Sequence, residues 1–258
     1  MRIIISPAKQ MRQDRDTLPP RDLPAFLPET RRLMAALRSL SPAELQKLWK
    51  CNDAIAALNV ERLRTMDLEH SLTPALLSYV GIQYQTMGAR VFETGQYEFL
   101  QEHLRILSGF YGLLRPFDGV TPYRLEMGAR LAVDGCRDLY AFWGEKLARA
   151  LAEESGWVLD LASKEYSRAV ELFLEPGIAF VQVVFGSLEA DKRGEEKIKV
   201  KATEAKMARG EMVRWLAETG ATHPDGLPAF QGLGYRYDPD RSTRARMVFL
   251  KTTQSSAV

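Results

Sequence analysis

The fold class follows from the stretch Trp157-Val158-Leu159-Asp160-Leu161-Ala162-Ser163-Lys164-Glu165-Tyr166. The pattern predicts a strand over Trp157–Leu161 that passes directly into a helix over Ser163–Val170. Ser163 is a preferred N-cap residue, and Glu165 lies in the first turn, where a carboxylate complements the helix dipole. A strand that runs straight into a helix is typical of α/β layer architectures.

Short strand-like runs recur on both sides of this stretch. We predict strands at Arg2–Ser6, Ile178–Phe185, Lys197–Lys201 and Arg246–Lys251. Because both hairpins and crossovers fit this order, we expect a mixed β-sheet surrounded by helices. No linker or repeat divides the chain, so residues 1–258 are predicted to form a single domain.

Helix signals separate the predicted strands. Ser41-Pro42-Ala43-Glu44 has an N-cap serine, a proline at the first helical position and the glutamate of a capping box. Thr73-Pro74 is predicted to begin a helix in the same way. Apolar residues at helical spacing predict one amphipathic helix over Asp138–Glu154, with Phe142-Trp143 in the core, and another helix over Ala202–Glu218.

Composition narrows the class of protein. The chain has 258 residues, of which 46% are hydrophobic and 26% charged, with a net charge of +2. This is a globular composition, and no apolar run approaches the length of a membrane span. Two cysteines in unrelated contexts, Cys51 and Cys136, fit a reducing compartment, and Met1–Pro7 is too short in apolar residues for a signal peptide. We therefore expect a cytoplasmic protein with no membrane association.

Basic residues are concentrated in two regions. The segment from Lys192 to Arg214 holds eight basic and four acidic residues, and the first 38 residues hold the same numbers. Lys197, Lys199 and Lys201 alternate, so a strand would present them on one face. Lys206 and Arg209 are three apart and would be neighbours on a helix. These regions predict a continuous positive surface that attracts a phosphate backbone. A solvated strand face and helix face is the alternative.

Several short motifs contain groups suited to binding an anion. Ser6-Pro7-Ala8-Lys9 matches the S-x-x-K pattern of acyl-transferring serine enzymes, but its partner motifs are missing. We favour Lys9 as an anion contact at the end of a strand. Gly109 and Gly112 form a GxxG, which either clamps a nucleic-acid backbone or permits a sharp turn.

Two arginines and the N-terminus of a helix are further candidates for binding an anion. Arg115 and Arg124 are candidates to grip phosphate, or Arg124 forms a structural ion pair with Glu126. The helix that Ser163 begins offers an anion site at its N-terminus, next to Lys164.

Metal and cofactor sites are not indicated. His70, His103 and His223 are far apart, and the sequence has no HExxH, P-loop or GxGxxG motif. We therefore predict no metal and no cofactor. Iron sequestration by the protein itself is a less favoured hypothesis for its function, because the sequence has no E-x-x-H signature to support it.

Longer motifs resemble the YaaA peroxide-stress family and follow one another from residue 3 to about residue 250. They are Ile5–Lys9, Leu104–Pro116, Pro122–Gly128, Asp138–Gly144, Leu161–Tyr166 and Lys206–Gly210. The resemblance implies a single α/β domain with a family-specific fold and a positively charged cleft. It also implies protection from hydrogen peroxide, limitation of free iron and binding of double-stranded or branched DNA. The family's helix-hairpin-helix has its nearest counterpart in Tyr79–Gly88, which lacks a tight Gly-x-Gly turn.

Two hypotheses for function follow. The first is a stress protein that binds DNA without sequence specificity and without an obligate protein partner. Its phosphate contacts are then Lys9, Arg115, Arg124, Lys164, Lys206 and Arg209. The second is an enzyme of unidentified reaction acting on a nucleotide or nucleic acid, with Glu126, Ser163 and Glu165 as catalytic candidates. Ser6, Lys9 and Tyr166 are further polar residues that DNA binding alone does not require.

Overall fold

Strands and helices are interspersed along the whole chain in the computed structural model, which describes residues 1–14, 16–190 and 194–252. The strands are β1 (Arg2–Ile5), β2 (Gln10–Met11), β3 (Thr73–Pro74), β4 (Tyr79–Val80), β5 (Leu104–Ser108), β6 (Gly112–Leu114), β7 (Gly119–Val120), β8 (Trp157–Leu161), β9 (Ala179–Ala190), β10 (Glu196–Lys199), β11 (Tyr235–Tyr237) and β12 (Arg246–Lys251). The α-helices are α1 (Leu27–Arg38), α2 (Pro42–Trp49), α3 (Asp53–Thr65), α4 (Ala75–Ser78), α5 (Ile82–Met87), α6 (Thr94–His103), α7 (Leu139–Trp143), α8 (Lys146–Glu154), α9 (Lys164–Glu171) and α10 (Ala202–Thr219). Short 3-10 helices lie at Ala89–Val91, Pro224–Ala229 and Gly232–Gly234.

Eight of the strands form one mixed sheet. Its order is β11-β12-β9-β8-β1-β5-β6, and β10 pairs with β9 beside this path. The five strands from β12 to β5 are mutually parallel, whereas β11, β6 and β10 are antiparallel to their neighbours. The predicted α/β class with a mixed sheet and flanking helices is confirmed. One hydrophobic core extends from Ile3 to Phe249.

The central strand β1 marks a change in direction of the sheet. The chain passes from β1 to β5 on one side and later returns to place β8 on the other. Ile3, Ile4 and Ile5 are completely buried, as expected for a parallel strand covered on both faces. In open α/β sheets, ligands bind beyond the carboxyl ends of the strands at such a reversal. The topology therefore predicts a ligand site at the residues that follow β1 and β8.

Two helix starts illustrate where local signals succeed and fail. At α2 the capping box is complete, because Glu44 N donates to Ser41 Oγ and Ser41 N donates to the Glu44 carboxylate. The prediction that Thr73 begins a helix in the same way is wrong. Thr73 pairs with Val120 in a short ladder, and its hydroxyl accepts a hydrogen bond from Asp14 N at 2.9 Å. Its side chain is therefore engaged elsewhere, and α4 begins at Ala75.

The predicted helix over Asp138–Glu154 is two helices. Asp138 caps α7 through its carboxylate, which accepts from Ala141 N, and the chain leaves the helical conformation at Gly144. Gly144 has φ 50° and ψ −134°, a conformation that other residues rarely adopt. The apolar spacing continues across this break, which is why the pattern alone did not reveal it. Phe142 and Trp143 are buried in the core as predicted.

The strand predicted at Ile178–Phe185 is longer than expected, because β9 continues to Ala190 and pairs with β10 in a hairpin. The strand predicted at Lys197–Lys201 ends at Lys199, and Lys201 is instead the residue that precedes α10. No helix in the described ranges is long and apolar enough to cross a membrane.

Candidate functional site

Two serines join the carboxyl ends of neighbouring parallel strands. Ser6 follows β1, and Ser163 precedes α9 just beyond β8. Ser163 N donates to Ser6 Oγ at 2.8 Å, and Ser6 Oγ donates to Ser163 Oγ at 3.1 Å. Ser163 stands at the N-cap position, as predicted, but its side chain does not cap the helix. The two hydroxyls instead hold the carboxyl ends of β1 and β8 together.

A cavity of about 390 Å³ lies beyond these strand ends. Its walls come from the β1–β2 loop, the β4–α5 segment, the residues Tyr123–Glu126, the start of α9 and one face of α10. This volume falls in the range of small-molecule sites, about 300–1,000 Å³. The site is thus the size of one nucleotide or a similar ligand, not of a duplex.

The cavity brings together most of the residues singled out from the sequence. Four predicted cations line it, and the remaining members come from the catalytic candidates and their neighbours. The lining includes Lys9, Arg124, Lys206, Arg209, Ser6, Glu126, Ser163, Glu165 and Tyr166.

Two predicted contacts are not among the lining residues. Arg115 lies beside a separate cavity with Arg105, Asp118 and Glu154, and its Nη2 is 3.8 Å from Glu154 Oε1. Lys164 is exposed at the first position of α9. The expectation that all six cations meet in one place is therefore met by four of them.

Glu126 is shared by two of the cations. Its Oε1 is 3.4 Å from Lys9 Nζ and 3.2 Å from Arg124 Nη2. The ion pair between Arg124 and Glu126, which the sequence left as an alternative to phosphate binding, is present. The Lys9 side chain remains 69% exposed, whereas that of Arg124 is only 9% exposed.

Arg209 has a buried carboxylate behind it. Asp160 lies in β8 and accepts hydrogen bonds from Ala162 N at 2.8 Å and Ser167 Oγ at 2.5 Å. Burial raises the pKa of the Asp160 carboxyl to about 6, although these hydrogen bonds and the Arg209 charge act to lower it. Burial also lowers the pKa of Arg209, and the Asp160 charge opposes that change. Asp160 was not identified from the sequence, where it is an acid inside the apolar run Trp157–Leu161.

Unpartnered nitrogen atoms distinguish the cavity from the rest of the interior. Among the described residues, four buried side-chain nitrogens have no hydrogen-bond partner: Trp49 Nε1, Gln83 Nε2, Arg124 Nε and Arg209 Nε. Three of the four belong to residues that line the cavity. Buried donors are normally satisfied, so these nitrogens are able to donate to acceptors that water or a ligand brings. Gln83 was not identified from the sequence.

Tyrosines form the apolar part of the wall. Tyr84 OH donates to the carbonyl oxygen of Ser6 at 2.9 Å. Tyr123 OH is 2.8 Å from Tyr79 OH and 2.6 Å from Ser108 Oγ. Burial raises the pKa of Tyr123 to about 12, so its hydroxyl stays neutral at physiological pH. Fixed hydroxyl positions make this wall rigid.

Close packing of α10 against α5 forms another wall of the cavity. A Cβ atom on Gly210 would collide with the Gln83 carbonyl oxygen, so only glycine allows this approach. Gly210 follows Arg209, and Gln83 is on the facing helix. The contact therefore places Gln83 beside the cations of α10.

Several basic residues of the surface predicted around β10 and α10 form ion pairs with neighbouring acids. Lys199 pairs with Glu189 at 2.6 Å, Lys201 with Glu204 at 3.7 Å and Arg214 with Glu218 at 2.8 Å. Lys192 and Arg193 lie outside the described residues, as does Arg15 of the N-terminal region. Local acids thus balance much of this charge, while Lys206 and Arg209 face the cavity.

The GxxG motif makes the turn of a buried hairpin. Gly109 and Gly112 connect β5 to β6, and Gly112 has φ +74°. All residues from Ser108 to Leu114 are buried, so the turn interpretation is confirmed and a nucleic-acid clamp at this position is wrong. The helix-hairpin-helix candidate Tyr79–Gly88 consists of β4, which pairs with β2, and the six-residue helix α5. It contributes residues 80–84 to the cavity wall. Across the described ranges, no group of three His, Cys, Asp or Glu residues is arranged to hold a metal ion.

Comparison with known proteins gives a consistent result along the chain. Residues 1–241 match the family model described as peroxide stress protein YaaA. A UPF0246 protein of Desulfitobacterium hafniense is 48% identical over 251 residues, which cover 97% of this chain and 98% of that protein. UPF0246 proteins of Lachnoclostridium phytofermentans and Pediococcus pentosaceus are 48% and 45% identical over 251 residues, covering 97% of this chain and 96% and 98% of those proteins.

Proposed function

Since the chain belongs to the peroxide stress protein YaaA family, we propose that it acts in the response to hydrogen peroxide by holding a phosphate-bearing nucleotide unit in this cavity. The unit belongs either to DNA or to a free nucleotide. The observation that carries the proposal is the set of three buried, unpartnered nitrogens on Gln83, Arg124 and Arg209. All three are hydrogen-bond donors, and phosphate oxygens are acceptors.

The balance of charge in the cavity supports an anionic ligand. Four cationic side chains and two carboxylates line it, and one of these carboxylates, Glu126, is already paired. The second, Glu165, accepts a hydrogen bond from Gly128 N at 2.8 Å. Partly buried charges act at a lower effective dielectric than surface charges, so an entering phosphate gains more than it would on the open surface.

DNA binding without base readout is the first form of the proposal. Lys9 and Lys206 line the cavity and are exposed to solvent. Lys164 is also exposed and directly follows Ser163, which lines the cavity. These cations would contact phosphates that flank the bound unit and would give salt-sensitive, weakly sequence-specific binding. In this form the protein works in the cytoplasm and needs no obligate protein partner.

Binding of labelled duplex DNA and of nucleotides across a salt series tests the proposal. We expect affinity to fall steeply with salt and to drop further in Lys206→Glu. Arg64→Glu is the control, because Arg64 is exposed on α3 and, among the described residues, forms an ion pair with Glu61 of the same helix alone. Affinity that does not change between low and moderate salt, or equal losses in both variants, would contradict the proposal.

Catalysis on a nucleotide is the second candidate, and one specific observation favours it. Ser6, Ser163 and Glu126 line the same cavity as Lys9 and Arg124. Phosphate binding alone does not require these two hydroxyls and this carboxylate. A carboxylate beside an anchored phosphate is placed to accept a proton. Glu126→Gln separates the two candidates: the variant retains DNA binding if binding is the whole function and loses turnover if the site is catalytic. Product analysis after incubation with DNA and nucleotides provides the readout.

A further inference from the structure

The lining residues that α5 and α10 contribute to the cavity include two cations and one amide, and no carboxylate among the described residues. Gln83 projects from α5, and Lys206 and Arg209 project from α10. The Gly210 contact holds the two helices together at this point. Gln83 is 6% exposed, and its Nε2 has no partner among the described residues. The Nε of Arg209 is in the same state.

The opposite side of the cavity is different. There Lys9 and Arg124 share the one negative charge of Glu126, at distances of 3.4 and 3.2 Å. Lys206 has no carboxylate within 4.0 Å among the residues that the structure describes. For Arg209, the charge of the buried Asp160 carboxylate acts to raise the pKa. Lys206 is therefore the cation on this side of the cavity that has no acidic partner among the described residues.

The number and type of these groups distinguish between kinds of phosphate. A phosphodiester within a chain offers two non-bridging oxygens and one negative charge. A terminal monoester offers three such oxygens and close to two charges at neutral pH. A guanidinium, an ammonium and an amide N–H supply donors for three oxygens and charge for two. A cavity volume of about 390 Å³ also favours the end of a chain over its continuous interior.

We propose, building on the function proposed above, that Gln83, Lys206 and Arg209 form a subsite for a terminal phosphate monoester. The ligand is a nucleotide, either free or at a phosphorylated end of a nucleic acid. The Gly210 contact positions Gln83 for this role.

The test compares ligands that differ only in the phosphate. Titration calorimetry with the full chain would use one nucleoside with its monophosphate, and one oligonucleotide with either phosphorylated or hydroxyl ends. We expect the phosphorylated member of a pair to bind at least about tenfold more tightly, as two added charge-assisted hydrogen bonds imply. A preference with the mononucleotide alone identifies a free nucleotide as the ligand, and a preference with the oligonucleotide identifies a nucleic-acid end.

Variants establish where the preference arises. Lys206→Ala should reduce it severalfold, while Lys47→Ala, at an exposed position on α2, should leave it unchanged. Gln83→Glu places a carboxylate at the buried amide and should abolish the preference by repulsion. Equal affinity within both pairs, the nucleoside with its monophosphate and the two oligonucleotides, overturns the terminal-phosphate subsite, although salt-sensitive binding lost in Lys206→Glu would still support the function proposed above. Failure of every phosphate-bearing ligand to bind overturns both.

Discussion

The N–H of Ser163 donates to the hydroxyl of Ser6 at 2.8 Å, which ties the residue after the central strand to the residue that begins α9. The two residues are 157 positions apart in sequence. Their strands are adjacent and parallel, with Ile5 opposite Leu161. This hydrogen bond therefore joins two residues of the cavity wall at the reversal of the sheet.

Ser6→Ala should destabilise the protein. The substitution leaves the part-buried Ser163 N–H without its acceptor, and an unsatisfied donor of this kind costs about 1–2 kcal/mol. Urea denaturation measures the change in free energy of unfolding. Ser39→Ala is a matched control, because the Ser39 hydroxyl makes an exposed bond to Ala36 O at 2.8 Å. Equal effects of the two variants would show that the Ser6 bond has no special role.

Gly210→Ala should open the wall between α5 and α10. The added methyl group collides with the Gln83 carbonyl oxygen, and relief of such overpacking typically costs about 1–3 kcal/mol. Gly95→Ala in α6 is the control, since no atom lies within 4 Å of the added carbon and alanine favours a helix. Thermal unfolding should show a lower midpoint for the first variant only. A normal midpoint for Gly210→Ala would mean that the helices separate without loss.

Asp160→Asn should alter how stability depends on pH. The pKa of Asp160 is raised from 3.8 to about 6 in the folded protein, so the neutral carboxyl is favoured by folding. Its contribution to stability is fully present below pH 3.8 and is lost as pH rises through about 6. Removing the group should therefore make the variant more stable relative to wild type as pH rises across this window, by on the order of 2–3 kcal/mol. Denaturant titrations at several pH values provide the measurement, and a difference that does not vary with pH would contradict it.

Arg115→Ala should leave ligand binding nearly intact, whereas Lys206→Ala should weaken it. Arg115 lies near Glu154 at a separate cavity, and Lys206 lines the main one. For duplex DNA, loss of one phosphate contact lowers the slope of log affinity against log salt by about one. Anisotropy titrations over a salt series measure this slope for both variants. A larger change for Arg115→Ala would place the binding surface elsewhere.

Local sequence signals predicted elements better than they predicted contacts. The strands over Trp157–Leu161 and Arg246–Lys251 have the predicted bounds, because apolar runs of this length are typical of buried strands. The break at Gly144 was missed, since the helical spacing of apolar residues continues past it. Thr73 was misassigned because a distant backbone group, Asp14 N, binds the hydroxyl that would otherwise cap a helix.

The site residues were predicted from the distribution of charge and from short motifs. These indicate residue types but not where the residues lie in the folded protein. Lys9, Arg124, Lys206 and Arg209 do meet, but Arg115 does not, because it follows β6 near the sheet edge. Asp160 and Gln83 were not found, since each acquires its importance from burial and from neighbours far away in sequence. Ion pairs such as Lys199 with Glu189 likewise depend on strand register, which composition does not reveal.

A crystal structure with a terminally phosphorylated oligonucleotide tests the central claim most directly. The phosphate should occupy the cavity, with its oxygens within hydrogen-bond distance of Arg209 and Lys206 and near the Gln83 amide. Phosphates that contact only cations outside the cavity, with no ligand inside it at saturating concentration, would contradict the claim.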